Sequence, residues 1–129
     1  LKGIMTAKGA EKAIEAGAAG IVVSNHGGRV LDDCPATQEV LADIVAAVDG
    51  RAKILVDGGI RTGSDVFKAL ALGADAVLIG RPFVTAVYGG GEAGVQCYVQ
   101  KLKAELADTM RMCGAHSLAE IDRSMIYHG

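Results

Sequence analysis

The chain contains no tryptophan and only two prolines, and aromatic residues make up 4% of it. Its core must therefore be built from Ala, Val, Ile and Leu, in a sequence that is 50% hydrophobic. The low hydrophobicity and high net charge of a disordered chain are both missing. Net charge is −2, so no basic field for nucleic acid is present. No apolar run approaches the roughly 20 residues needed to cross a bilayer. The three cysteines, Cys34, Cys97 and Cys113, are too few and too scattered for a disulfide framework or a zinc site. They suit reduced cytosolic thiols, and the expectation is a cytoplasmic protein.

What is present is a chain of 129 residues rich in glycine, with 18. That length allows one domain with one core, spanning residues 1–129. Three short runs are apolar and β-branched: Gly20–Val23, Ile54–Val56 and Ala76–Ile79. None alternates, which predicts strands buried on both faces, as in a parallel sheet. Leu1–Ile4 reads as the tail of a fourth strand. It has no initiator Met and no room for the strand's first half, as in a piece of something longer. Helical spacing predicts helices over Lys8–Ala16, Thr37–Val48 with Thr37 as N-cap, and Ser64–Leu72. A last helix is expected from about Glu92 to Met112, packed in part by Met110 and Met112, with Tyr88–Gly91 as a flexible connection. Strand and helix in strict alternation mean parallel βαβ units.

The sequence also repeats itself. Lys12–Val23 can be laid on Lys68–Ile79, and the same register sets Gly3-Ile4 on Gly59-Ile60 and Thr6 on Thr62. Each copy ends a helix at glycine, which tolerates positive φ, and then begins a strand. Repeated units of this kind point to the α/β class and a (β/α)8 barrel, of which four units make half.

In such a barrel the residues after each strand's C-terminal end share one mouth. Four polar clusters fall there: Lys2; Ser24-Asn25-His26-Gly27-Gly28-Arg29; Asp57-Gly58-Gly59-Ile60-Arg61; and Gly80-Arg81-Pro82. The helix-to-strand links carry nothing comparable. Gly58, Gly59 and Gly80 bare backbone amides, a helix begins near Gly63-Ser64, and Arg61 and Arg81 add charge. Together these predict a phosphate site. A lone Gly-Gly would be a plain turn, but two such clusters after consecutive strands favour an anion. His26 stands where a general base would act near neutral pH, with Arg29 close enough to hold an anionic substrate group. Lys2 offers a fixed positive charge at the same mouth. His116 and His128 lie outside every cluster and read as surface residues.

The strings "LKGI", "SNHGGR", "DGGIR" and "GRP", at these separations, resemble the C-terminal half of the FMN-dependent α-hydroxy acid oxidases and dehydrogenases. The resemblance runs from Leu1 to about Ile121. It implies FMN as cofactor and oxidation of an (S)-2-hydroxy acid, lactate- or glycolate-like, to the 2-oxo acid. His26 is then the base, taking a proton from the substrate hydroxyl or its α-carbon, and Arg29 binds the carboxylate. Lys2 and Ser24 contact the flavin ring. Asp57, Gly58, Gly59 and Arg61 hold the ribityl and phosphate, with Gly80 and Arg81 as the second phosphate pair. The electron acceptor is oxygen, a quinone or another carrier. The family commonly forms tetramers, so a homo-oligomer is expected, or association with the missing N-terminal half.

The resemblance also implies what four units cannot supply. Further substrate tyrosines and the aspartate that pairs with the histidine cannot be assigned here. The chain alone is therefore expected to have little turnover. Two alternatives remain open at this stage. One is a half-barrel that only binds FMN or phosphate. The other is a different barrel, such as a type 2 isopentenyl diphosphate isomerase or an inosine monophosphate dehydrogenase, against which the His26–Arg29 string argues.

Overall fold

The computed structural model describes residues 1–127. Its sheet has four parallel strands in the order β1 (Lys2–Ile4), β2 (Gly20–Val23), β3 (Lys53–Val56) and β4 (Ala76–Val77). Helices α1 (Ala7–Glu15), α2 (Thr37–Val48) and α3 (Gly63–Ala71) connect them, and α4 (Arg81–Cys113) follows β4. Sequential parallel strands joined by helices are the repeating unit of a (β/α)8 barrel, here four units of it. The runs at Gly20, Ile54 and Ala76 all fall on strands, although β4 is only two residues long.

The repeat seen in the sequence is a repeat of structure. Thr6 and Thr62 occupy equivalent N-caps, their hydroxyls accepting from the amides of Gly9 and Asp65. Gly17 and Gly73 follow the two helices at φ 87° and 103°. Thr37 does not cap α2. The N-cap is Ala36, whose amide donates to the Glu39 carboxylate at 2.6 Å. The Thr37 side chain is instead buried and serves the cleft described below.

The core is one-sided. Ile21, Val23, Ile54 and Val56 are buried with Ala10, Ala13, Leu41, Ile44 and Val48 of the helix layer. Val22 and Leu55, which alternate with them, are only partly covered. This corrects the expectation of strands buried on both faces. The helices shield the outer face, whereas inner side chains of a barrel pack against strands across the barrel.

Helix α4 is really two arms. Residues 81–90 are helical, so Tyr88–Gly91 is no loose connection; the break is confined to Gly91, at φ 55° and ψ −135°. There the chain folds back until Gly94 lies against Ala86, where an added Cβ would fall 2.1 Å from the Ala86 carbonyl oxygen. The second arm, 92–113, packs on α3 and closes a second cluster of Phe67, Ala71, Ala115 and Ile121 with Leu106 and Met110. Met112 is 88% exposed and packs nothing. His116 is exposed as expected, its amide donating to Glu120, and His128 lies outside the described residues.

Helices α3 and α4 meet most closely at Gly63. A Cβ there would sit 2.2 Å from the Leu106 amide nitrogen and 2.6 Å from the Leu102 carbonyl oxygen. Backbone cannot yield as a flexible side chain can. Gly63→Ala should destabilise the chain by about 3 kcal/mol, the upper part of the usual overpacking range. A urea midpoint equal to that of the parent would show that α3 and α4 are not so closely docked.

Candidate functional site

The C-terminal ends of the four strands surround an open cleft of about 650 Å³. Lys2, His26, Arg29, Asp57, Gly58, Gly59, Arg61, Gly80 and Arg81 all line it. Ser24 does not line it and lies behind the wall, buried at 1% exposure. Four cationic side chains face one carboxylate, a local charge of +3 with His26 neutral, in a chain of net −2. A concave surface so charged concentrates anions.

Lys2 and Ser24 tie the strand ends together. The Ser24 Oγ accepts from Lys2 Nζ at 2.6 Å and from the His26 amide at 3.1 Å. Lys2 Nζ also pairs with Asp57 Oδ2 at 2.9 Å. The lysine is therefore clamped from β2 and β3 rather than waving from a strand end. Thr37 holds the same junction from below, donating to the Asp57 carbonyl at 2.7 Å. Neither clamp was readable from spacing, because both bonds cross strands that are 20 or more residues apart. The only available signal was Thr37, which reads in the sequence as a helix cap.

The turn after β2 is unusual. His26, Gly27 and Gly28 all adopt left-handed backbone, at φ 56°, 69° and 71°. For histidine that conformation carries strain of order 1–3 kcal/mol, held here by the Ser24 bond and by the Gly27 amide donating to Asn25 Oδ1 at 3.1 Å. Gly27 is required by its φ, and an added Cβ would fall 2.8 Å from Arg81 Nη2, which donates to the Gly27 carbonyl at 2.8 Å, so the guanidinium would have to shift. The imidazole lies against Gly3, where a Cβ would be 2.7 Å from Cε1. The turn thus presents the exposed His26 ring at the cleft. Among the described residues no carboxylate bonds that ring, and Arg29 has no hydrogen-bonded or ionic partner.

The two helix N-termini near the cleft differ. Several amides at the start of α3 already donate to the chain's own carboxylates. Asp65 Oδ2 accepts from Arg61 and Thr62 at 3.0 and 2.9 Å, and Glu105 Oε2 from Gly63 at 2.8 Å. Burial pushes the Asp65 carboxyl up, but the Arg61 amide and the Thr62 hydroxyl and amide outweigh it and hold it below its ordinary value. The ammonium of Lys101, then the Gly63 amide, hold Glu105 low as well. Four of the amides around the helix start near Gly63-Ser64, those of Arg61, Thr62, Gly63 and Asp65, are therefore already engaged within the chain. At α4 no side chain caps the N-terminus. Its N-cap Gly80 has open space where a Cβ would stand, with Arg81 next to it and Arg61 lining the same cleft. An uncapped helix start beside two guanidinium groups fits a phosphate monoester dianion.

Fold and cleft define a partial (β/α)8 barrel whose mouth is built for an anionic ligand beside an exposed histidine. The family model for FMN-dependent dehydrogenases matches residues 1–128. A peroxisomal (S)-2-hydroxy-acid oxidase of Oryza sativa subsp. japonica is 53% identical over 126 residues, covering 98% of this chain and 34% of the relative. Glycolate oxidase 3 of Arabidopsis thaliana is 52% identical over 126 residues, with the same coverages. The crystal structure of a mandelate oxidase superposes with a TM-score of 0.92 at 50% identity, over 95% of this chain and 36% of that one. Another structure of mandelate oxidase, a mutant, holds an FMN adduct. The chain belongs to the FMN-dependent dehydrogenase family, whose cofactor is FMN. It spans about a third of the length of the relatives it matches. The other flavin and nucleotide barrels weighed above are thereby set aside. The cytoplasmic expectation is corrected, because relatives at 53% and 52% identity are named as peroxisomal. Reduced thiols describe a redox environment and do not identify a compartment. Among the described residues no helix is long and apolar enough to cross a membrane.

Proposed function

We propose that this chain forms the FMN-phosphate and base-bearing part of a 2-hydroxy acid oxidase that converts a lactate- or glycolate-like (S)-2-hydroxy acid to its 2-oxo acid. The observation that carries the reading is the convergence of His26, Arg29, Lys2 and the uncapped Gly80–Arg81 helix start on one cationic cleft. When bound, FMN accepts two electrons from the substrate and later gives them to an acceptor such as oxygen or a quinone.

The remaining chemistry is assigned to side chains. Arg81, Arg61 and the Gly80 end of α4 hold the phosphate, and Asp57, Gly58 and Gly59 border the ribityl chain. Lys2, locked by Ser24 and Asp57, sets a positive charge beside the flavin ring and cannot drift from it. Arg29, with no partner among the described residues, takes the substrate carboxylate as a charge-assisted pair. His26 accepts a substrate proton as the C–OH carbon becomes a carbonyl. Its exposed ring, open to the cleft, suits that task.

By itself the chain is proposed to bind FMN without appreciable turnover. Among the described residues, no carboxylate hydrogen-bonds the His26 ring to steady the imidazolium it becomes. Val22 and Leu55 await a partner, either strands that complete the barrel or a second copy. The reading is tested with a chimaera in which this chain replaces the aligned segment of the Arabidopsis glycolate oxidase. The chimaera should bind FMN and oxidise glycolate or lactate, while the isolated chain should show no steady-state oxidation of either. A folded, flavin-loaded chimaera inert towards every small 2-hydroxy acid would overturn it.

A further inference from the structure

The mouth of the cleft is braced from outside by one stripe of the second α4 arm. Tyr98, Glu105 and Thr109 recur at helical spacing on one face and each bonds the segment that opens α3. Thr109 Oγ1 lies 3.0 Å from Ser64 Oγ and Glu105 accepts from Gly63. Tyr98 reaches furthest towards the cleft. Its hydroxyl donates to the Arg61 carbonyl at 2.8 Å. Its ring meets Phe83 edge-on, centroids 5.0 Å apart at 74°. Phe83 lies on the first turn of α4, two residues after Arg81. One side chain therefore touches both segments that the phosphate reading needs, the end of the β3 loop and the start of α4. Those segments come from different strand ends and share no direct bond between Arg61 and Arg81 among the described residues. Burial raises the Tyr98 pKa, so the phenol remains a donor throughout the neutral range.

We infer that Tyr98 is a positioning residue for the phosphate end of the flavin, fixing Arg61 relative to the Gly80–Arg81 helix start through its hydroxyl and its Phe83 contact. The inference rests on the phosphate-site reading above. Tyr98 is half-buried behind the wall and does not line the cleft, so its effect on binding passes through Arg61.

The test uses the full chain with Tyr98→Phe, which keeps the ring against Phe83 and removes only the hydroxyl. FMN and riboflavin are titrated separately and the melting temperature is recorded. The dissociation constant for FMN should rise about fivefold, the worth of one ordinary hydrogen bond, while riboflavin binding stays as in the parent. Tyr98→Leu, which also removes the ring contact, should weaken FMN further. Unchanged FMN affinity in both variants would overturn the inference. So would FMN and riboflavin weakening by one common factor with a lowered melting temperature, since that is general loosening. A parent chain that binds FMN no better than riboflavin would instead remove the phosphate site itself, and the positioning role with it.

Discussion

His26→Gln in the chimaera should lower the rate of 2-hydroxy acid oxidation about a thousandfold while leaving its FMN content unchanged. Glutamine approximates the size of the imidazole and can still hydrogen-bond, but it cannot take a proton. General-base assistance is worth about 10²- to 10⁴-fold, and the expected loss sits inside that range. The structure also separates this effect from cofactor binding. The His26 side chain lies against Gly3, whereas the uncapped helix start and its arginine come from the end of β4. Stopped-flow reduction by substrate without oxygen measures the rate, and flavin absorbance measures the loading. A loss of only a few-fold would move the base elsewhere. A loss of rate that merely follows a loss of FMN would make His26 a structural residue of the turn.

Arg81→Ala should weaken FMN binding to the chain about a hundredfold and leave riboflavin binding nearly as it was. Hydrogen bonds to charged groups contribute about 1.5–3 kcal/mol each, and each 1.4 kcal/mol is a factor of about ten. The guanidinium adds its charge at the uncapped start of α4, where the helix dipole already favours an anion. It has a second contact, to the Gly27 carbonyl across the cleft. Losing that contact frees the turn that carries His26, so the chimaera with Arg81→Ala should turn over more slowly even at saturating FMN. Arg81→Lys, which keeps the charge but not the fork, should fall between parent and alanine. Equal loss of FMN and riboflavin would mean that Arg81 supports the fold and not the phosphate.

Much of this was legible in the sequence. The three β-branched runs fell on strands because short apolar runs between glycine-ended helices have few other uses. The clusters converged on one cleft because parallel βα units put every strand's C-terminal end on one side. What stayed hidden was set by contacts distant in sequence. Thr37 looks like a cap until the Asp57 carbonyl is seen above it. The helix start near Gly63-Ser64 looks open to an anion until Glu105, 42 residues on, is found accepting from the Gly63 amide. Tyr88–Gly91 looks loose because glycines are read as breakers, yet only Gly91 leaves helical backbone. Tyr98 carried no motif at all. The half-covered inner face was missed for a simpler reason: Val22 and Leu55 look the same in a sequence whether or not strands face them.

The central claim is that the ends of β3 and β4 form a phosphate site within this chain. The most direct test is titration of the purified chain with FMN and, separately, with riboflavin, followed by flavin absorbance and fluorescence. Saturable binding of FMN, with riboflavin much weaker, is the result expected from an uncapped α4 start flanked by Arg61 and Arg81. Equal affinity for the two, or binding of neither by a folded chain, would contradict it.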